Sequence, residues 1–191
     1  MTQQNPVLQF LLGRRSTPAK ALRAPAPSGE ALDVILRAAA RVPDHGALAP
    51  WRFVVIEGAA LARLSTLVQK RGAALGLDPE KVAKSAASWA NAPKIVAVIA
   101  VHKPSDKAPE AEQFLSAGAA CLSLVNAALA TGWGAAWITG WAAFDRGFVE
   151  EAFGLSPQER IAGFIHLGTC ESPVPDRTRP DMATLVQVLS E

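Results

Sequence analysis

The sequence contains no tyrosine, so any mechanism built on a phenolic general acid is excluded. Its two cysteines, Cys121 and Cys170, lie far apart and in no C-x-x-C pair. Neither a disulfide framework nor a cysteine metal site is indicated, and buried, reduced thiols are expected. The histidines, His45, His102 and His166, show no metal-ligand spacing. There is no P-loop, and no G-x-G-x-x-G follows a strand. The stretch "GWGAAWITG" at 132–140 fits poorly and stands at the wrong end of a helix, so a Rossmann dinucleotide site is not supported. The formal net charge is only +2. With no basic stripe interleaved with aromatics, nucleic acid is not an expected partner. The N-terminal "MTQQNPVLQF" lacks a basic region leading into a long apolar run. No secretory leader is expected, and a cytoplasmic location is.

One absence points two ways. From Phe114 to Phe144 there is no charged residue, and a membrane helix needs about 20 mostly apolar residues. This stretch, however, is rich in Ala, Ser and Gly, carries Asn126, and is broken by "TGWG" at 131–134. It reads as a buried core helix, a glycine turn and a buried strand, with no membrane partner.

What is present suits a globular protein. The chain has 191 residues, 50% hydrophobic and 19% charged, enough for a single domain over 1–191 with a substantial core. Asn5 and Pro6 are set to start a helix that ends near Gly13. Residues 17–28 carry three prolines and read as an extended connection. Ser28 is set to cap a second helix, closed by Pro43. Strands are expected at 52–57, 94–102, around "GAAWITG", and along "RIAGFIHLGT". Helices are expected at 59–74, 79–90 (capped by Asp78), 109–131 and near 145–153. Strands and helices interleave, but not as clean βαβ units. The tail from Pro173 is proline-rich, then apolar again.

Four features could carry chemistry. In "LLGRRSTPAK" an apolar helix runs into Arg14, Arg15 and Ser16. Cations at a helix C-terminus stabilise its dipole by about 0.3–1 kcal/mol, so a solvated helix end is one reading. An anion site is the other, because guanidinium forks fit phosphate and serine adds a hydroxyl. The loop "RVPDHGALAPWRF" holds Arg41 and His45 between Pro43 and Pro50, a bracket that points to a rigid, shaped loop; Trp51 reads as core. In "TGWGAAWITGW" the glycines permit close backbone approach to a ligand or simply a tight turn. Trp133, Trp137 and Trp141 recur every four residues and read as packing. Arg177 and Arg179 put cations into the proline-rich tail. Composition and spacing alone indicate a soluble α/β protein with two arginine pairs able to hold an anion.

Taken together, three motifs resemble the FMN-dependent nitroreductase family, closest to its short branch: a helix ending in R-R-S, P-D-H-x-x-x-x-P-W-R-F, and G-x-G-x-x-W-x-[ST]-G. The similarity runs from about Leu8 to the C-terminal prolines. The resemblance implies an α+β, three-layer α-β-α fold with a central, mostly antiparallel sheet flanked by helices. It also implies an intertwined homodimer with FMN at the subunit interface. The activity it implies is a ping-pong transfer of hydride from NADH or NADPH, through flavin N5, to a nitroaromatic, quinone or similar electrophile. No side chain need then act as nucleophile. A flavin reductase, a flavin carrier with little turnover and a non-flavin phospholigand module are the alternatives.

By the same resemblance, Arg14, Arg15 and Ser16 would hold the FMN phosphate and ribityl chain. Arg41 and His45 would reach the flavin bound mainly by the other subunit. Trp137, Ile138 and Thr139 would run along the isoalloxazine, and Arg179, or Arg177, would complete the phosphate site. Ala127, Ala128, Leu129, Ala130, Thr131 and Gly132 would contribute to nicotinamide cofactor binding. The chain departs from the wider family in carrying Ala47, Leu48 and Ala49 where an Asn and a Gln are usual. Its shortness leaves no room for the inserted helices that roof longer members' pockets, which implies an open acceptor side.

Overall fold

The structure, a computed structural model, describes residues 5–190. Helix α1 spans Pro6–Gly13; the Asn5 side chain accepts from the N–H groups of Val7 (2.9 Å) and Leu8 (3.2 Å), satisfying donors that the first turn leaves free. Helix α2 (Gly29–Ala39) has Ser28 at its N-cap, though its hydroxyl makes no capping bond. Strand β1 (Trp51–Ile56), helices α3 (Ala59–Ala74) and α4 (Pro79–Ala90), strand β2 (Lys94–Val101), helix α5 (Glu110–Ala130), strand β3 (Gly134–Ile138), helix α6 (Arg146–Phe153) and strand β4 (Glu159–Gly168) follow. Asp78 caps α4 through the Lys81 N–H. Asp145 caps α6 through the Phe148 N–H, and its carboxylate grips Arg71 of α3 at 2.7 and 3.0 Å.

The strands form one sheet in the order β1-β2-β4-β3, every neighbouring pair antiparallel. Successive side chains of a strand face opposite sides, and β2 shows the consequence. Ile95, Ala97 and Ile99 pack with Leu64 and Val68 of α3, Trp89 of α4 and Phe148 of α6. Val96, Val98 and Ala100 pack with Ile35 of α2 and Ala117, Cys121 and Leu124 of α5. The expected three-layer α-β-α, α+β architecture is thus present, its sheet antiparallel throughout. Burial pushes the Cys121 thiol up to about 12, as expected of an inert core cysteine, whereas Cys170, just past the end of β4, is only partly buried.

The pairing of β2 with β4 shifts between Val98 and Ile99, so Ala162 is the extra residue of a β-bulge. The connection before α2 is more ordered than its prolines suggest. It makes a short 3-10 turn at Ala19–Ala21, and Arg23 exchanges backbone bonds with Thr169 (2.9 and 2.8 Å). Gly168 permits that close approach, since a Cβ there would stand 2.7 Å from the Arg23 carbonyl oxygen.

Helix α5 is long and apolar enough to cross a membrane by length and composition, with 39% of its apolar window buried in this chain. Its inward face fills the core as expected, whereas Leu115 is 72% exposed and Phe114 and Leu122 are also open. Helix α1 buries no residue, leaving Leu11 and Leu12 in solvent. In the tail, Val188 and Leu189 are 79% and 84% exposed.

Candidate functional site

Helix α1 delivers the arginines. Arg14 closes it with a backbone N–H bond to Phe10 (2.8 Å) and then leaves in an extended conformation. Its guanidinium therefore turns into a cavity of about 530 Å³ lined by Arg14, Arg15, Ser16, Arg177, Thr178, Arg179 and Pro180. Tertiary structure has brought the two arginine clusters, some 160 residues apart in sequence, around one space. Arg14 Nη2 donates to Ser16 Oγ (3.0 Å), and Arg15 Nε to the Pro175 carbonyl (3.3 Å). Arg179 Nη2 lies 3.5 Å from the Arg14 carbonyl and 2.7 Å from Asp176.

Four guanidiniums thus meet one carboxylate. Burial, then Arg179, then Arg15 hold the Arg14 guanidinium below its ordinary value, so its charge is unwelcome in the protein alone. Its Nε is buried with no hydrogen-bond partner among the described residues. A buried donor left unpaired costs about 1–3 kcal/mol. A helix cap does not explain that arrangement, and an anion in the cavity does.

The Pro43–Pro50 loop is shaped by side chains around it. Gly46 (φ 78°), Ala47 (φ 53°) and Ala49 (φ 45°) all take left-handed conformations. For alanine this costs roughly 1–2 kcal/mol per residue. Asp44 offsets the cost: one carboxylate oxygen accepts from Leu48 N–H (3.0 Å), the other from Ala49 N–H (2.8 Å). Lys103 Nζ donates to the Leu48 carbonyl, and Ser116 Oγ of α5 to the Pro43 carbonyl. His45 Nδ1 meets Glu112 Oε1 at 3.0 Å. Pro43, Asp44, His45, Glu112 and Ser116 border a second cavity of about 470 Å³ between the loop and α5. Arg41 is exposed at the loop's entry, its backbone N–H bonded to Ala38. Trp51 is partly buried against the α2–α5 core.

Strand β3 carries the third piece. Trp137 is 41% exposed; its Nε1 donates to the carbonyl of the bulge residue Ala162 (3.2 Å), and its ring covers Gly163, where a Cβ would overlap the indole. Ladder pairing ends at Ile138 opposite Phe164, so Thr139 and Gly140 (φ 65°) leave the sheet. The tryptophans do pack, but on different sides: Trp133 on the α2–α5 core, Trp141 on the opposite one.

The Ala127–Gly132 segment is the last turn of α5 and its exit. Ala128 is fully buried, and the Thr131 hydroxyl donates to the carbonyls of Ala127 and Ala128 (2.8 and 3.0 Å). Ala130, Thr131 and Gly132 are its exposed part.

The arginine cavity and the loop cavity share no lining residue; one chain holds two separate pieces. Sequence reasoning passed over Asp44, Lys103, Glu112 and Gln113. The Asp-x-Gly turn signal of Asp44 was available. Buried Gln113, which accepts from Lys103 N–H (2.9 Å) and donates to the carbonyls of Lys103 and Ala108 (both 2.8 Å), carried none.

The nitroreductase family's sequence profile matches residues 11–169. The chain belongs to the nitroreductase family. The match spans Arg14–Ser16, the Pro43–Pro50 loop and Trp137–Thr139, and stops before Arg177. Among relatives, "Putative NAD(P)H nitroreductase YdjA" of Escherichia coli (strain K12) is 41% identical over 162 residues, covering 85% of this chain and 87% of that protein. A Haemophilus influenzae protein with the same NAD(P)H nitroreductase designation is 39% identical over 164 residues, with the same coverages. Solved structures share the fold. A nitroreductase-like family protein from Bacillus cereus superposes with a TM-score of 0.80 at 19% identity, covering 99% of this chain and 98% of that one. A Bacteroides fragilis nitroreductase with bound FMN gives 0.74 at 20%, covering 98% and 100%.

Proposed function

We propose that this protein is an FMN-dependent NAD(P)H oxidoreductase that reduces nitroaromatics, quinones or similar electrophiles. The observation that carries the reading is the buried, unpartnered Arg14 Nε among mutually repelling guanidiniums. FMN ends in a phosphate carrying about two negative charges at neutral pH, and burying such a group without cations is prohibitive. The donor set fits it: Arg14, Arg15 and Ser16 receive the phosphate and ribityl chain, and Arg179, with Arg177, closes the far side. When bound, FMN supplies the hydride relay between the nicotinamide donor and the acceptor, in two separate half-reactions.

The chain's own residues bind and orient. Trp137, Ile138 and Thr139 line the flavin ring where the backbone leaves the ladder. The exposed Ala130–Gly132 end of the Ala127–Gly132 segment is the part available to the nicotinamide cofactor. Arg41 and His45, the latter steadied by Glu112, supply cationic and polar contacts to a flavin held by a second copy of the chain. Such a homodimer accounts for the two separate cavities. It also gives the open Leu11, Leu12, Leu115 and Leu122 an apolar partner. Use of reduced nicotinamide as the hydride donor supports a cytoplasmic location.

The spectrum and flavin content of the purified protein test the reading. A yellow protein, or one that takes up FMN stoichiometrically, is expected, bleached by NADH or NADPH in stopped flow. A protein that stays yellow is a carrier, and one that takes up no FMN overturns the proposal.

A further inference from the structure

The Asp44 loop contributes almost nothing to the core: His45, Gly46, Ala47 and Ala49 are all exposed. It is nevertheless held by polar tethers along its length. Both Asp44 oxygens are committed to Leu48 N–H and Ala49 N–H. The Lys103 ammonium holds the Leu48 carbonyl, and Gln113 fixes the Lys103 backbone from both sides. Glu112 and Ser116, one helical turn apart on α5, hold His45 and Pro43. Two alanines are kept at positive φ inside this frame. Helix α2 and strand β1 are packed by their own side chains on either side, so the fold does not require the loop's strained shape. Strain maintained at an exposed loop by polar tethers indicates that the shape itself is used.

We propose that Asp44 is a positioning residue: by clamping Leu48 and Ala49 it holds the loop in the strained conformation that presents His45 at the flavin and electron-acceptor site. This rests on the oxidoreductase reading above. With both carboxylate oxygens bonded to backbone N–H groups, Asp44 acts through the loop backbone. An amide in its place keeps the size but leaves one acceptor oxygen for two N–H donors, and turns its own NH₂ against the other.

The test is D44N in the FMN-loaded protein, with D44N/A47G/A49G as the rescue. Glycine takes left-handed conformations without strain, so it releases the need for the clamp. Amide hydrogen exchange at Leu48 and Ala49 should rise roughly tenfold in D44N, the size expected for losing one charge-assisted bond. KM for 1,4-benzoquinone should rise by a similar factor and the visible spectrum of the bound flavin should shift. FMN content, set at the arginine cavity, should stay at the wild-type level. The triple variant should regain the wild-type KM and spectrum. If exchange rises while KM and spectrum stay at wild-type values, or if the glycines fail to restore them, the assignment falls and the oxidoreductase reading stands. If wild-type protein takes up no flavin, both fall.

Discussion

Replacing Arg14 by alanine separates a ligand-binding arginine from a structural one. In the flavin-free protein Arg14 is a liability: burial and the neighbouring Arg179 and Arg15 disfavour its charge, and its Nε is unpaired. Removing the guanidinium relieves that repulsion, and the one side-chain bond forfeited among the described residues is the 3.0 Å contact to Ser16. In the flavin-bound protein the same group neutralises phosphate. A charge-assisted hydrogen bond contributes about 1.5–3 kcal/mol. Arg15 and Arg179 remain in place and the cavity is open to solvent, which favours the lower half of that range, or roughly 10- to 40-fold in Kd. Arg14→Ala should therefore weaken FMN binding at least tenfold without lowering the thermal midpoint of the flavin-free protein. Quenching of flavin fluorescence at fixed ionic strength measures the first, and a thermal melt the second. Arg14→Lys should fall between, since it keeps the charge and loses the fork. An unchanged flavin titration would refute the phosphate role. So would an affinity loss matched by an equal loss of flavin-free stability, which would make Arg14 a scaffold residue.

Leu115→Glu, on the open face of α5, should convert a dimer into a monomer in sedimentation and release flavin with it; a monomer that keeps FMN at full affinity would contradict the interface site. His166, on β4, is held by burial at about 4 against its ordinary 6.5. The unfolded chain therefore takes up the proton first, and stability present above pH 6.5 declines as pH falls toward 4. The loss amounts to roughly 3 kcal/mol. Thermal melts across this range should flatten in His166→Gln, and an unaltered pH profile would show that other groups dominate.

Local chemistry made much of the fold legible. The Asn5-Pro6 and Asp78-Pro79 pairs mark helix starts because capping oxygens and the fixed proline φ act within a few residues. Both caps are present. The apolar run within 94–102 marks a strand covered on both faces, which β2, ending one residue earlier, is. The uncharged stretch after Phe114 resolves into helix, glycine turn and strand, as its Gly-rich break required. The 17–28 connection was less legible, because its bridge to Thr169 depends on a partner far away in sequence.

What the sequence by itself determined was where elements begin and end, which positions are apolar, and which motifs mark the family, since each is encoded within a short span of chain. Only the tertiary structure decided that Arg14 and Arg179 share one cavity, that Lys103 and Gln113 fasten the Asp44 loop, and that Ala47 and Ala49 sit at positive φ. These depend on groups up to 165 residues apart and on charges whose cost appears only when burial removes the water around them. No pattern along the chain records that loss of solvent; the folded arrangement creates it.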